Sequence, residues 1–144
     1  MSGAVVAVCT SATKGVQKQP VAAVTAVVEH GLDGDAHAGP WHRQVSLLAD
    51  ESAARIRDAG VDIGPGDFGE NLLTRGIELV ALPIGTRLTV GEALLEVTQI
   101  GKECHTRCAI FDAAGTCVMP TEGIFCRVVR GGRIAPGDPI AEVA

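Results

Sequence analysis

Eighteen glycines and seven prolines are scattered along this 144-residue chain, and most of the segments between them are short and rich in Val, Ile and Leu. Glycine and proline end regular elements, so short apolar segments at this spacing predict an all-β barrel or sandwich. Ala4 to Val8 reads as a first strand, and Ala22 to Glu29 as a second with Thr25 and Glu29 on its more polar face. Gln44 to Leu48 reads as another. Asp50 then caps a helix running to about Ala59, with Gly60 just past its end. Gly91-Glu92 joins the strands Thr86 to Val90 and Ala93 to Gln99 as a two-residue connection suited to a tight hairpin. Ile124 to Val129 and Ile140 to Val143 close the chain, with Gly131-Gly132 and Pro136-Gly137-Asp138 as turns.

Hydrophobic residues make up 47% of the chain and charged ones 20%, enough apolar surface to offset the entropy of ordering, so the expectation is one folded domain over residues 1–144. No stretch approaches the roughly 20 apolar residues of a membrane-spanning helix. Met1 to Ala7 lacks the basic start of a signal peptide, which points to the cytoplasm. A net charge of −5 opposes a phosphate-backbone partner, and three Phe, one Trp and no Tyr leave little for base stacking. Neither nucleic acid nor a membrane is an expected partner. A small anion held by a local basic group remains compatible.

Five cysteines in a reducing compartment favour thiolate chemistry or metal ligation over a disulfide framework. The strongest signal is Lys102-Glu103-Cys104-His105-Thr106-Arg107-Cys108. Lys102, Arg107 or a protonated His105 would stabilise a Cys104 thiolate and lower its pKa. Cys104, Cys108 and Cys117 could instead meet around a soft metal such as zinc, or hold an iron–sulfur cluster. Cys9 and Cys126 read as buried small hydrophobes, a reading equally open to Cys117.

A second constellation, Gly31-Leu32-Asp33-Gly34-Asp35-Ala36-His37-Ala38-Gly39 with Trp41-His42-Arg43-Gln44, places two carboxylates and two histidines close together. It could bind metal or be a hydrogen-bonded loop. The guanidinium of Arg43 suits bidentate recognition of phosphate or carboxylate. In the third, Gly66-Asp67-Phe68-Gly69-Glu70-Asn71-Leu72, Glu70 and Asn71 offer an acceptor and an amide to a ligand. The alternative is a turn in which Glu70 pairs with Arg43 or with a free backbone amide. The chain has no P-loop, dinucleotide fingerprint, Gly-x-Ser-x-Gly elbow or His-Glu-x-x-His pair.

Taken in order, Lys14-Gly15, Gly31 to Gly39, Arg43-Gln44-Val45-Ser46-Leu47-Leu48, Pro65 to Leu72, Leu82-Pro83-Ile84-Gly85 and Leu95-Glu96-Val97-Thr98-Gln99 resemble the MOSC family, named after the C-terminal domain of molybdenum cofactor sulfurases. The resemblance implies a mainly β fold, a single twisted β-barrel with a few short helices and a cleft lined by these loops. It also implies sulfur carriage as a persulfide on one cysteine, or binding of the molybdenum cofactor with that cysteine as metal ligand. The matching cysteine, shortly after the Leu-Glu-Val-Thr-Gln strand, is Cys104. Glu103 replaces the proline that usually precedes it, and the chain looks more like the short stand-alone members.

The leading expectation is therefore a sulfur carrier of molybdenum cofactor metabolism. Cys104 accepts sulfur from a donor such as a pyridoxal-phosphate-dependent desulfurase, and Cys108 resolves or relays it. His37 and His42 supply acid–base help. Arg43, Lys102, Asp35, Glu70 and Asn71 bind the anionic substrate or cofactor and shape the cleft. The alternatives are a protein that holds the cofactor or serves its enzymes with Cys104 on the metal, and a metal or iron–sulfur protein using Cys104, Cys108 and Cys117.

Overall fold

The computed structural model describes residues 1–14, 16–101 and 122–143. Eleven strands are present among them: β1 (Ser2–Thr10), β2 (Gln19–Val21), β3 (Val24–Val27), β4 (Gly31–Leu32), β5 (Val45–Ala49), β6 (Leu72–Arg75), β7 (Arg87–Val90), β8 (Ala93–Ile100), β9 (Ile124–Arg130), β10 (Gly132–Ile134) and β11 (Pro139–Glu142). One α-helix, α1 (Asp50–Asp58), and one 3-10 turn, Leu79–Ala81, accompany them.

Seven strands follow the order β11-β7-β8-β9-β5-β6-β1, and β1 pairs back onto β11 through Ser2 with Ala141 and Ala4 with Pro139. The sheet is thus a closed barrel. β2 extends it beside β1, while β10, β3 and β4 form a separate three-stranded sheet. β5 and β6 pair in parallel, which requires a crossover, and α1 lies within that connection.

Alternation along the strands divides the apolar residues between two clusters. Val45 and Leu47 of β5, Leu72 of β6, Leu88 and Val90 of β7, and Leu95 and Val97 of β8 fill the interior. Leu48 and Leu73 face the other way and pack with Ala53 and Ile56 of α1, together with Cys9, Phe68 and Phe125. Every residue of β5 is buried because both of its faces are covered.

Four details differ from the sequence reading. The strand expected over Ala22–Glu29 is shorter, β3 over Val24–Val27, with a separate strand, β2, just before it at Gln19–Val21, and Glu29 lies in the turn that follows with φ 54. Asp50 does not cap α1: Ala49 holds the cap position without a side-chain bond, because β5 runs directly into the helix. Asp50 is the first helical residue, and its carboxylate bonds Arg57 and Arg75, both at 3.0 Å. Gly132, expected in a turn, opens β10, and Leu72–Arg75 form a barrel strand that short-range pattern did not reveal. Among the described residues no helix is long and apolar enough to cross a membrane.

Candidate functional site

The loop between β4 and β5 is built around a buried lysine. Lys18 is 1% exposed, and its ammonium reaches Asp35 Oδ1 at 2.7 Å, His37 Nδ1 at 2.9 Å and Ser11 Oγ at 3.3 Å. Three N–H donors meet three partners, so the buried charge is both paired and hydrogen-bonded. Asp35 completes the arrangement by accepting the backbone amides of Ser11 at 3.1 Å and His37 at 3.2 Å. The metal reading of this loop gives way on this point: the ammonium stands where a cation would bind Asp35 and His37.

The third constellation holds Lys18 in place. The backbone amide of Lys18 donates to Gly66 O at 3.0 Å. Gly66 has φ +88, and a Cβ there would lie 2.1 Å from Lys18 O, so only glycine fits. Glu70, 1% exposed, accepts the amides of Gly66 at 2.9 Å and Phe68 at 3.2 Å. Burial raises its carboxyl above the usual range, against those two amides. Of the two pairings open to Glu70, the backbone amides are the ones formed. Asn71, also buried, accepts from the amide and hydroxyl of Ser46 and donates to Cys9 O at 3.1 Å. Both side chains are committed to the wall behind the loop.

His42 and Arg43 converge on one side chain of β8. Gln99 Oε1 lies 2.8 Å from His42 Nε2 and accepts from Arg43 Nε at 3.1 Å, while its Nε2 donates to Gly101 O at 2.7 Å. A β-bulge puts Gln99 there. Pairing of β8 with β9 steps from Val97–Cys126 to Gln99–Phe125, so Thr98 is the extra residue, and its hydroxyl bonds His42 O. The Arg43 guanidinium sits 5.1 Å from the centre of the Phe125 ring. Trp41 links the two groups: its indole donates to His37 O at 2.8 Å, and its ring meets His42 edge-on at 5.9 Å.

The structure thus brings Asp35 and His37 together, brings His42 and Arg43 together, and places Glu70 and Asn71 behind them. Cys104, Cys108, Cys117 and Lys102 lie outside the described residues. Cys9 and Cys126 are fully buried, as the sequence reading expected. Burial, helped by the Glu70 and Asp67 charges, pushes the Cys9 thiol up to about 12. Burial also raises that of Cys126.

Ser11, Lys18 and Gln99 were not anticipated. Lys18, in a polar run, reads as a solvated side chain, and nothing local marks it. Gln99 carried a signal: two polar residues in succession, Thr98-Gln99, break the alternation of β8, as a bulge does.

The sequence profile of the MOSC domain matches residues 33–141. The chain belongs to the MOSC family. The MOSC barrel recurs in solved structures. The YuaD protein from Bacillus subtilis superposes with a TM-score of 0.80 at 21% identity, covering 97% of this chain and 94% of that one. YiiM from Escherichia coli gives 0.70 at 22% identity, covering 100% and 70%. YiiM from Geobacillus stearothermophilus gives 0.67 at 21% identity, covering 99% and 73%. At these identities the likeness is one of fold. No curated protein sequence matches the chain.

Proposed function

We propose that this MOSC protein is a sulfur carrier of molybdenum cofactor metabolism, acting in the cytoplasm through a persulfide on Cys104. The observation that supports it is subtractive. Of five cysteines, Cys9 and Cys126 are sealed in the core with raised pKa values. Thiolate chemistry therefore falls to Cys104, Cys108 and Cys117. Gln99 ties His42 and Arg43 to Gly101, three residues before Cys104 in the sequence. The basic and imidazole groups of the loop thus gather at the root of the segment that carries the cysteine.

In this reading the Cys104 thiolate attacks the outer sulfur of a donor persulfide, such as that formed on a pyridoxal-phosphate-dependent desulfurase. The new S–S bond leaves Cys104 as the persulfide and releases the donor as its thiolate. Incubation with a persulfide donor should load about one labile sulfur per chain, and Cys104→Ser should abolish loading. Normal stoichiometry in Cys104→Ser would overturn the reading.

A second reading, cofactor binding, is favoured by Arg43. Its Nε is spent on Gln99, but its terminal nitrogens have no partner among the described residues, which fits the anionic part of a pterin cofactor. Arg43 and Lys102 would hold that part and Cys104 the metal, where the bound group would supply redox chemistry. Molybdenum and pterin in protein purified from a cofactor-producing host would support it, and their absence would dismiss it.

A further inference from the structure

The bulge in β8 clamps the His42–Arg43 pair from two sides. Thr98, the extra residue, holds the backbone: its hydroxyl bonds His42 O and lies 3.1 Å from Phe125 O. Gln99 holds the side chains. Its Oε1 faces His42 Nε2 at 2.8 Å and accepts from Arg43 Nε at 3.1 Å, while its Nε2 donates to Gly101 O at 2.7 Å. One oxygen with two lone pairs meets two donors, and the other end of the same group donates to a carbonyl, which is what a carboxamide supplies. A carboxylate of the same shape would turn an oxygen toward Gly101 O and set a negative charge against the guanidinium.

The neutrality of Gln99 separates Arg43 from the other braced arginines. Arg127 is held by Glu96 and Glu29, Arg87 by Glu96, and Arg57 and Arg75 by Asp50. Each of those charges is met by a carboxylate. Arg43 is held instead by an amide oxygen and by the Phe125 ring, whose centre is 5.1 Å away, and among the described residues no acid touches it. Its guanidinium is fixed in place and its charge is left unspent. Two terminal nitrogens on a planar, pre-oriented group suit an oxyanion that presents two oxygens at once.

We propose that Gln99 is the positioning residue of an oxyanion site on Arg43: it fixes the guanidinium against Phe125 and, being neutral, keeps the positive charge available to the ligand. The proposal rests on the reading in which Arg43 meets the anionic part of a ligand, and it names what keeps Arg43 fit for that task. Bracing matters because a free arginine side chain loses rotamer freedom when it binds, and a braced one has lost it already.

The test uses the full chain labelled with nitrogen-15 arginine, with the Arg43 Nε–H signal assigned through Arg43→Lys and inorganic sulfate as the probe at constant ionic strength. In the wild type that signal should stand apart from those of solvated arginines, exchange slowly with water, and move saturably with sulfate. Gln99→Met, which is neutral but makes no hydrogen bond, should return the signal to the solvated position and weaken sulfate binding a few-fold. Gln99→Glu should weaken it by about tenfold or more, because the new carboxylate takes the guanidinium for itself. An Arg43 signal unchanged in Gln99→Met, or sulfate bound by Gln99→Glu as tightly as by the wild type, overturns the role of Gln99. Should Gln99→Glu fail to fold, the signal in Gln99→Met decides. A wild-type Arg43 that sulfate does not move removes the anion site itself, and the proposal with it. Sulfate binding that depends on Gln99 in protein that takes up neither pterin nor molybdenum supports the proposal and removes the cofactor reading alone.

Discussion

Cys9 and Cys126 show how burial sorts chemically identical side chains. A thiol reacts as its thiolate, and an apolar wall disfavours the charge. Native protein treated with iodoacetamide at about pH 8, near the pKa of a free thiol, should be unmodified at both positions by peptide mass mapping. Unfolding in urea should expose both. Modification of either in the native state would contradict their burial. Their core placement was legible in the sequence because each lies in an apolar strand. The role of Lys18 was not, because its partners Asp35 and His37 are brought to it by pairing that no local pattern encodes. Asp35 and His37 drew attention as residue types, but the cation between them had to be seen.

Helix α1 is tied to the barrel wall through Asp50, which joins Arg57 within the helix to Arg75 on β6. Partial burial alone would raise the Asp50 carboxyl, but hydrogen bonds from Arg75 and Arg57 hold it below the usual range. A carboxylate whose pKa is lower folded than unfolded stabilises the fold above its unfolded value, near 3.9, and loses that contribution as pH falls through the folded value. Both arginines are substantially exposed, so solvent screens the pair. Asp50→Asn should cost about 0.5–1 kcal/mol at neutral pH, and the gap to wild type should close below about pH 4. Urea unfolding across that range measures it, and a pH-independent gap would mean that the ion pairs contribute nothing. The position of α1 followed from its sequence. Its first residue did not act as a cap, because a strand that enters a helix without a turn leaves the cap position to its own last residue.

The barrel is closed by strands from opposite ends of the chain, with β1 pairing to β11. Ile140 of β11 is fully buried among the interior residues. Ile140→Ala should therefore cost roughly 2–5 kcal/mol, read as a lower urea midpoint, and a change below about 0.5 kcal/mol, the range of surface substitutions, would mean that this seam is not part of the core. The β class was visible in the spacing of glycine and proline. Closure was not, since it is a pairing between residues far apart in sequence, and the resemblance to the MOSC family supplied what periodicity could not.

The β8–β9 pair has a consequence of its own. The two strands pair up to Ile100 and Ile124, and the amide of Gly101 then donates to Gly123 O at 2.7 Å, closing the ladder beneath the connection that carries three of the cysteines. Both anchors of that connection, Gly101 and Gly123, belong to the wall. The ladder is thus complete before residue 102 and resumes at once after residue 123, so the register of these two strands is written into the wall itself, whatever residues join them.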